Sequence, residues 1–251
     1  MKIDLSGKVA VITGGSRGLG HAMATTLSGA GATLALVARD QVRLDQACAE
    51  LTAKGGTVSG FVADVTKEAD VERVAGEITA TFGAPHILIN NAGNNVRKHL
   101  AELSLDEFRS VIDGSLTSTF LMSRALTPEM KGRGYGRVIN MTSMLSHISL
   151  PGRTPYSSAK TGLLGFTRAL ALELAADGIT VNGISPGPFD TDMNRAVKDD
   201  PQANAQFLTN LPVGRWGRVE EIGALACYLC SESAGFITGT DIVIDGGWTT
   251  K

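Results

Sequence analysis

Along the chain, short runs of aliphatic and β-branched residues alternate with longer stretches in which apolar residues recur every three or four positions. The runs Lys8–Thr13 (KVAVIT), Thr33–Ala38 (TLALVA), Thr57–Ala63, Ile87–Asn90 (ILIN), Arg137–Met141 (RVINM), Ile179–Ile184 and Asp241–Ile244 (DIVI) predict strands. Most are apolar throughout, the pattern of strands covered on both faces. Gly18–Ser28, Gln41–Ala53, Glu68–Phe82, Ser104–Met130, Thr154–Ala176 and Val219–Ser231 predict helices. Alternation at these spacings builds right-handed βαβ units. The expected fold class is α/β: one doubly wound domain, residues 1–251, with a seven-stranded parallel sheet and helices on both faces. Pro186–Gly217 breaks the rhythm, being long, Pro- and Asn-rich and only weakly periodic. A segment of that length in a compact domain reads as a binding loop or lid, here about 188–217.

Composition narrows what such a domain does. With 19% charged residues and a net charge of −2, the chain carries no electrostatic footprint for nucleic acid and no polybasic patch for anionic lipid. Met1–Lys8 lacks the apolar stretch of a secretory leader, and no apolar run approaches the roughly 18 residues of a membrane span. A cytoplasmic protein with no nucleic-acid or membrane partner is expected. Cys227 and Cys230 stand i,i+3 in a helical pattern with no further ligands nearby, so they read as buried small residues, and no metal is expected.

Directly after the first strand stands Thr13-Gly-Gly-Ser-Arg-Gly-Leu-Gly20. Gly14, Gly18 and Gly20 follow G-x-x-x-G-x-G spacing and open a helix, with Ser16, Arg17 and Leu19 in the same loop. Glycines let the backbone approach a pyrophosphate closely, while the helix presents free N–H groups and its positive dipole end. The domain is therefore of Rossmann type, and a dinucleotide is its expected cofactor. An NAD site wants a carboxylate near the end of the second strand for the ribose 2′-OH. Here that strand ends Leu36-Val-Ala-Arg-Asp40. Arg39, together with Arg17, suits a 2′-phosphate, which guanidinium groups grip bidentately, and so points to NADP(H). Asp40 on a 2′-OH is the alternative.

Of three tyrosines, only Tyr156 has a lysine four residues on, Lys160 in YSSAK, on one face of a helix. An ammonium nearby favours a phenolate. One cation at ~4 Å supplies about 4 kcal/mol at an effective dielectric of 20, enough to lower a pKa by about three units. Ser143 ends the fifth strand, Asn90-Asn-Ala-Gly93 ends the fourth, and Pro186-Gly-Pro-Phe-Asp-Thr191 follows the sixth. The tips of parallel strands are where ligands sit in open α/β sheets.

These segments (TGGSRGLG, NNAG, Ser143, YSSAK and PGPFDT) resemble, in order and spacing, the short-chain dehydrogenase/reductase family along essentially the whole chain. Within it the resemblance leans toward the 3-oxoacyl-carrier-protein-reductase-like and gluconate-5-dehydrogenase-like groups, the latter for R-W-G at Arg215–Gly217 and for Arg97. The resemblance implies an oxidoreductase interconverting a carbonyl and a secondary alcohol. Tyr156 is then the general acid/base, Ser143 a hydrogen-bond donor to the reacting oxygen, and Lys160 a group that lowers the Tyr156 pKa and holds the nicotinamide ribose. It places Asp64 and Val65 at the adenine, Asn91, Ala92 and Gly93 at the adenosine ribose, and Pro186, Gly187, Phe189 and Thr191 at the carboxamide. It also implies a homotetramer. One position departs: Val111-Ile-Asp-Gly-Ser-Leu-Thr117 puts Ser115 where the family carries an Asn that holds a relay water. The shorter hydroxyl either replaces that amide neutrally or rearranges the relay.

At the expected mouth, Arg97, Lys98, His99, His147 and Arg153 form a cationic excess that suits an anionic small-molecule substrate. His21 reads as structural. A different reading, a non-catalytic NADP-binding regulator of the same fold, draws on Ser115 and is opposed by the intact Ser143–Tyr156–Lys160 set.

Overall fold

The computed structural model describes residues 3–191 and 194–250, so Asp192 and Met193 of the expected lid lie outside the described residues. Strands β1 (Val9–Thr13), β2 (Thr33–Ala38), β3 (Val58–Val62), β4 (Ile87–Asn90), β5 (Gly136–Met141), β6 (Ile179–Pro186) and β7 (Asp241–Ile244) form one parallel sheet in the order β3-β2-β1-β4-β5-β6-β7. The chain runs outward from β1 to β3, returns beside β1 at β4, and runs outward again to β7. β1 and β4 therefore flank the switch point, where the connecting loops part to opposite faces.

Alternate strand residues feed two cores, as period-2 side-chain direction requires. Ala10, Ile12, Leu34 and Leu36 join α1 (Gly18–Gly29), α2 (Gln41–Ala53) and α9 (Val219–Cys230) on one face. Val11, Ala35, Val37 and Leu88 join α3 (Glu68–Phe82), α5 (Ser118–Met130) and α6 (Thr154–Leu174) on the other. Cys227 and Cys230 belong to the first core, and burial raises both thiol pKa values. Toward the carboxyl ends of β4 and β5 the second core turns polar. Asn90 Nδ2 donates to Asn140 Oδ1 at 2.9 Å, and Asn140 Nδ2 donates to Thr167 Oγ1 of α6 at 2.9 Å. This buried chain of amides ties the two central strands to the helix that carries Tyr156 and Lys160. No described helix is long and apolar enough to cross a membrane.

Two expectations need correcting. The helix expected over Ser104–Met130 is broken into α4 (Leu105–Ile112), a π-helical turn Asp113–Thr117, and α5. Gly114 leaves room for the Asn94 side chain, which a Cβ at 114 would overlap. The Ser118 and Thr119 hydroxyls donate to the carbonyls of Gly114 and Ser115 at 2.9 and 2.8 Å, offering that turn bonds outside the regular ladder. Such single-turn π-bulges recur at functional sites. The weakly periodic 188–217 segment is not a structureless loop either. It holds α7 (Arg195–Lys198) and α8 (Pro201–Leu208), and its base is closed by a bridge between Phe189 and Gly217. The start of α8 carries Asp200 as N-cap with Pro201 at the first helical position, a signal present in the sequence. Phe207 of α8 stacks on Trp216 with centroids 4.5 Å apart and planes 4° from parallel, and also meets Trp248, so the segment is packed against the C-terminal turn.

Candidate active site

The rim at the carboxyl ends of the strands brings together the segments that the sequence singles out. Gly14 and Gly18 have φ of +64° and +56°, the left-handed region that only glycine enters cheaply. Gly20 serves a different need, since a Cβ there would overlap the Gly14 carbonyl. α1 begins at Gly18 with no side-chain cap and no acidic residue in its first turn, leaving its N–H groups and positive end open.

The loop is braced from the neighbouring strand. Thr13 Oγ1 accepts from the backbone N–H groups of Asn91 and Ala92 at 2.9 and 3.0 Å. Asn91 Nδ2 in turn donates to the carbonyls of Thr13 and Gly14 at 3.0 and 3.2 Å. The Asn91 amide is thus committed to holding the glycine loop, a role that the NNAG motif does not announce. Ser16 lies in the turn between β1 and α1, and Leu19 in the first turn of α1 packs against the core.

At the outer corner, Asp40 caps α2, accepting from Arg43 N at 3.1 Å and pairing with the Arg43 side chain. Its carboxylate is already engaged. Arg39 and Arg17 are exposed, and no ion pair holds either among the described residues. Asp64, after β3, is a half-buried carboxylate. Burial would raise its pKa, but two hydrogen bonds from Thr66 and the charges of Arg39 and Lys67 bring it below the usual value. Val65 beside it is buried.

Ser143 follows β5 in extended conformation and is 6% exposed, its Oγ accepting from Leu145 N at 3.1 Å. Tyr156, in the first turn of α6, is half-buried, with the Ser143 hydroxyl near enough to lower its pKa. Lys160, one turn on, is 5% exposed and donates through Nζ to the Met141 carbonyl at 2.5 Å. Burial lowers its pKa to about 8. A side chain at Gly93 would stand 3.2 Å from Ser115 Oγ and 3.8 Å from Lys160 Nζ, so glycine there opens the space in which these groups meet. Ser115 Oγ, in the π-turn, is buried without a hydrogen-bond partner among the described residues.

The electrostatics differ from expectation. Burial raises the Tyr156 pKa, the neighbouring Ser143 hydroxyl pulls it back, and the opposing cation is Arg153 rather than Lys160. The Lys160 ammonium is turned toward Met141 and lies 5.7 Å from the Tyr156 ring centroid. The cationic mouth is also smaller than the sequence suggests. Lys98 pairs with Glu107, and His147 faces Asp241 at 2.7 Å, leaving Arg97, His99 and Arg153. Arg153 has a buried Nη1 without a partner; burial and then the Arg97 charge lower its pKa, with Tyr156 opposing. Among the segments after β6, Pro186 and Gly187 lie at the strand end and Thr191 is half-buried, but Phe189 is a core residue, 3% exposed, against Gly217. His21 packs its Nε2 3.3 Å from Glu50, away from these groups.

The buried ammonium makes a pH prediction. In the folded protein Lys160 releases its proton near pH 8, in the unfolded chain near the ordinary lysine value of 10.5. Between these values the unfolded state binds more protons, so stability rises with pH. Relative to Lys160→Met, the native protein gains roughly 3 kcal/mol from pH 8 to pH 10.5, read by urea denaturation at stepped pH. A constant difference across that window would exclude a charged, buried Lys160.

Comparisons with known proteins place the chain in a family. Residues 14–249 match a family model described as Enoyl-(Acyl carrier protein) reductase. The chain is 37% identical to the 3-oxoacyl-[acyl-carrier-protein] reductase of Escherichia coli strain K12 over 245 residues, 98% of each protein, and 37% identical to that of Haemophilus influenzae over 243 residues, covering 97% of this chain and 98% of the relative. Among solved structures it superposes with TM-score 0.95 on a candidate gluconate dehydrogenase from Agrobacterium tumefaciens, at 36% identity over 99% of this chain and 98% of that one. It superposes with TM-score 0.93 on the RhlG/NADP active-site complex of Pseudomonas aeruginosa, at 34% identity over 98% of both. Fold, strand-end motifs and full-length similarity together make the chain a member of the short-chain dehydrogenase/reductase family of oxidoreductases.

Proposed function

We propose that this protein is an NADP(H)-dependent oxidoreductase that interconverts a carbonyl and a secondary alcohol, of 3-oxoacyl or sugar-acid type, with Tyr156 as general acid/base and Ser143 and Lys160 as its partners. The observation that carries the reading is Tyr156 beside Ser143 at the strand rim, with the buried Lys160 one turn away and open space at Gly93. A nicotinamide, when bound, supplies or accepts the hydride. In the reductive direction Tyr156 O–H protonates the carbonyl oxygen while the Ser143 hydroxyl donates a hydrogen bond to it. Burial keeps Tyr156 protonated, which suits a proton donor. Lys160, with a pKa of about 8, exchanges protons near neutrality and can return one toward Tyr156. The unpartnered Ser115 hydroxyl suits a water on that route.

The residues around the glycine loop fit the dinucleotide. Gly14, Ser16, Gly18, Leu19 and Gly20 would cradle its pyrophosphate, and Asp64, Val65, Asn91, Ala92 and Gly93 would border its adenosine half. Pro186, Gly187 and Thr191 would face the carboxamide, with Phe189 supporting them from the core. NADP(H) is favoured because Asp40 is spent on its helix cap while Arg17 and Arg39 remain available for a 2′-phosphate; the RhlG relative is a complex with NADP. The substrate is anionic on the strength of Arg153, whose buried Nη1 has no partner among the described residues and whose charge acts on Tyr156 beside Arg97. The same reading carries a homotetramer, and the exposed Leu172, Phe236 and Val243 on α6 and around β7 suit contacts between copies.

A panel of ketones, alcohols and an enoyl thioester with NADPH or NADP, followed at the nicotinamide absorbance, tests the function. Turnover is expected on a 3-oxoacyl thioester or an oxo-acid, and Tyr156→Phe lowers kcat by about 10²–10⁴. Turnover of the enoyl thioester alone would support C=C reduction instead, and NADPH binding without any turnover would support the regulator. Arg153→Met raises KM for the anionic substrate about tenfold or more, as loss of a charged hydrogen bond should, and leaves KM for a neutral ketone unchanged. Arg39→Asp raises KM for NADPH far more than for NADH; equal effects would overturn the 2′-phosphate assignment.

A further inference from the structure

Behind Ser143, on the side away from Tyr156, three strands contribute polar side chains to one point. Thr142, at the end of β5, and Ser185, in β6, are 2% and 0% exposed. Asp241 opens the edge strand β7. Thr142 Oγ1 donates to Asp241 Oδ1 at 2.5 Å and lies 2.8 Å from Ser185 Oγ. Ser185 Oγ lies 2.6 Å from Asp241 Oδ2 and 2.9 Å from the carbonyl oxygen of Ser143. His147 Nε2 completes the set, 2.7 Å from Asp241 Oδ2 and 3.2 Å from Ser185 Oγ. A cleft of about 230 Å³, lined in part by His147, Arg168 and Asp241, opens onto this network from outside.

The arrangement has been given room. Gly183 is paired with Asp241 across β6 and β7, and a Cβ at Gly183 would overlap the Asp241 carboxylate. Glycine inside a central, fully buried strand costs order and packing, so its presence marks a close approach by another group. Here that group is the carboxylate. Proton counting then gives the network a direction. An ionised carboxylate only accepts, and Ser185 has one hydroxyl proton for two acceptors, Asp241 Oδ2 and the Ser143 carbonyl. Thr142 donates to Asp241 Oδ1 and His147 to Asp241 Oδ2, while the single Ser185 proton, directed at Asp241 Oδ2 at 2.6 Å, is shared with the Ser143 carbonyl at 2.9 Å. The carbonyl of Ser143 is thereby held from behind while its side chain faces Tyr156.

We propose that Asp241, Ser185 and Thr142, with His147, form a positioning network that sets the placement of the Ser143 hydroxyl through a hydrogen bond to the Ser143 carbonyl. The proposal rests on the reading of Ser143 as the group that polarises the reacting oxygen. None of the four is a catalytic residue: each acts through Ser143. Because a misplacement of about 1 Å can cost about 10²-fold in rate, a partial release of this backbone is read in kcat before it is read in stability.

The test is a double-mutant cycle in the full-length protein with the substrate that the panel identifies. Ser185→Ala removes one oxygen and little volume; Asp241→Ala removes the carboxylate. Each is made alone and on Ser143→Ala, and kcat, KM for both substrates and thermal midpoint are measured. Alone, each is expected to lower kcat about tenfold with KM for NADPH unchanged; on Ser143→Ala, each is expected to change kcat less than about twofold. Equal losses in both backgrounds, or no loss in either, would overturn the network. If Asp241→Ala does not fold, Ser185→Ala decides alone. If Ser143→Ala itself leaves kcat unaltered, the assignment of Ser143 fails first, and that outcome is distinct from an additive cycle in which Ser143 matters and the network does not.

Discussion

β1 and β4 lie side by side, and beyond their last paired residues the chain leaves them in opposite directions, one loop to each face of the sheet. At that parting the backbone loses its ladder, and buried N–H and C=O groups would be left without partners. Thr13 and Asn91 satisfy them across the gap, the hydroxyl taking two backbone N–H groups and the amide giving to two carbonyls. The glycine loop, the start of α1 and the NNAG segment all take their positions from this reciprocal clamp. The crevice proposed for the dinucleotide is thus a defect of sheet topology made rigid by two side chains.

The chemistry beside the crevice depends on burial more than on charge pairing. Lys160 sits in the rim with a single carbonyl partner, and the missing solvent brings its pKa toward neutrality. The same burial acts on Tyr156 in the direction that keeps its proton, while Ser143 and Arg153 oppose it. Two groups with ordinary values far above neutrality are thereby moved in opposite senses, one toward exchange and one toward retention. Behind them, buried polar contacts link β4 and β5 to α6 through Asn90, Asn140 and Thr167, and link β5, β6 and β7 through Thr142, Ser185 and Asp241. Asn90, Asn140, Thr167, Thr142 and Ser185 are as buried as the apolar core, so their positions depend on mutual satisfaction rather than on solvent.

Much of this was legible in the sequence where local rules coincide with the fold. Seven strands, their parallel arrangement and the Ser143, Tyr156 and Lys160 positions followed from apolar runs, glycine spacing and a four-residue helical interval. The break in the long central helix was not legible, because its causes are tertiary: Asn94 enters the space above Gly114, and two hydroxyls bond back to the turn. The two helices of the 188–217 segment were missed for a different reason. They span only Arg195–Lys198 and Pro201–Leu208, too short to set up a readable helical period among the surrounding Pro and Asn residues. The cationic mouth was overcounted because spacing says nothing about partners: Glu107 of α4 takes Lys98, and Asp241 comes from the distant edge strand to take His147.

The sequence by itself determined the element order, the switch-point location of the glycine loop, the candidate residues at the strand tips and the family, since all of these rest on periodicities and motifs contained within a few turns of chain. Only the tertiary structure decided which of those residues are free to act. Asp40 is withdrawn into a helix cap, Asn91 into the loop clamp, Phe189 into the core and His147 into the network behind Ser143, whereas Arg153 and Ser115 keep polar atoms without partners among the described residues. The physical reason is that a hydrogen-bonding group has a fixed capacity, and how much of it remains for a ligand depends on neighbours that the chain brings from far along its length.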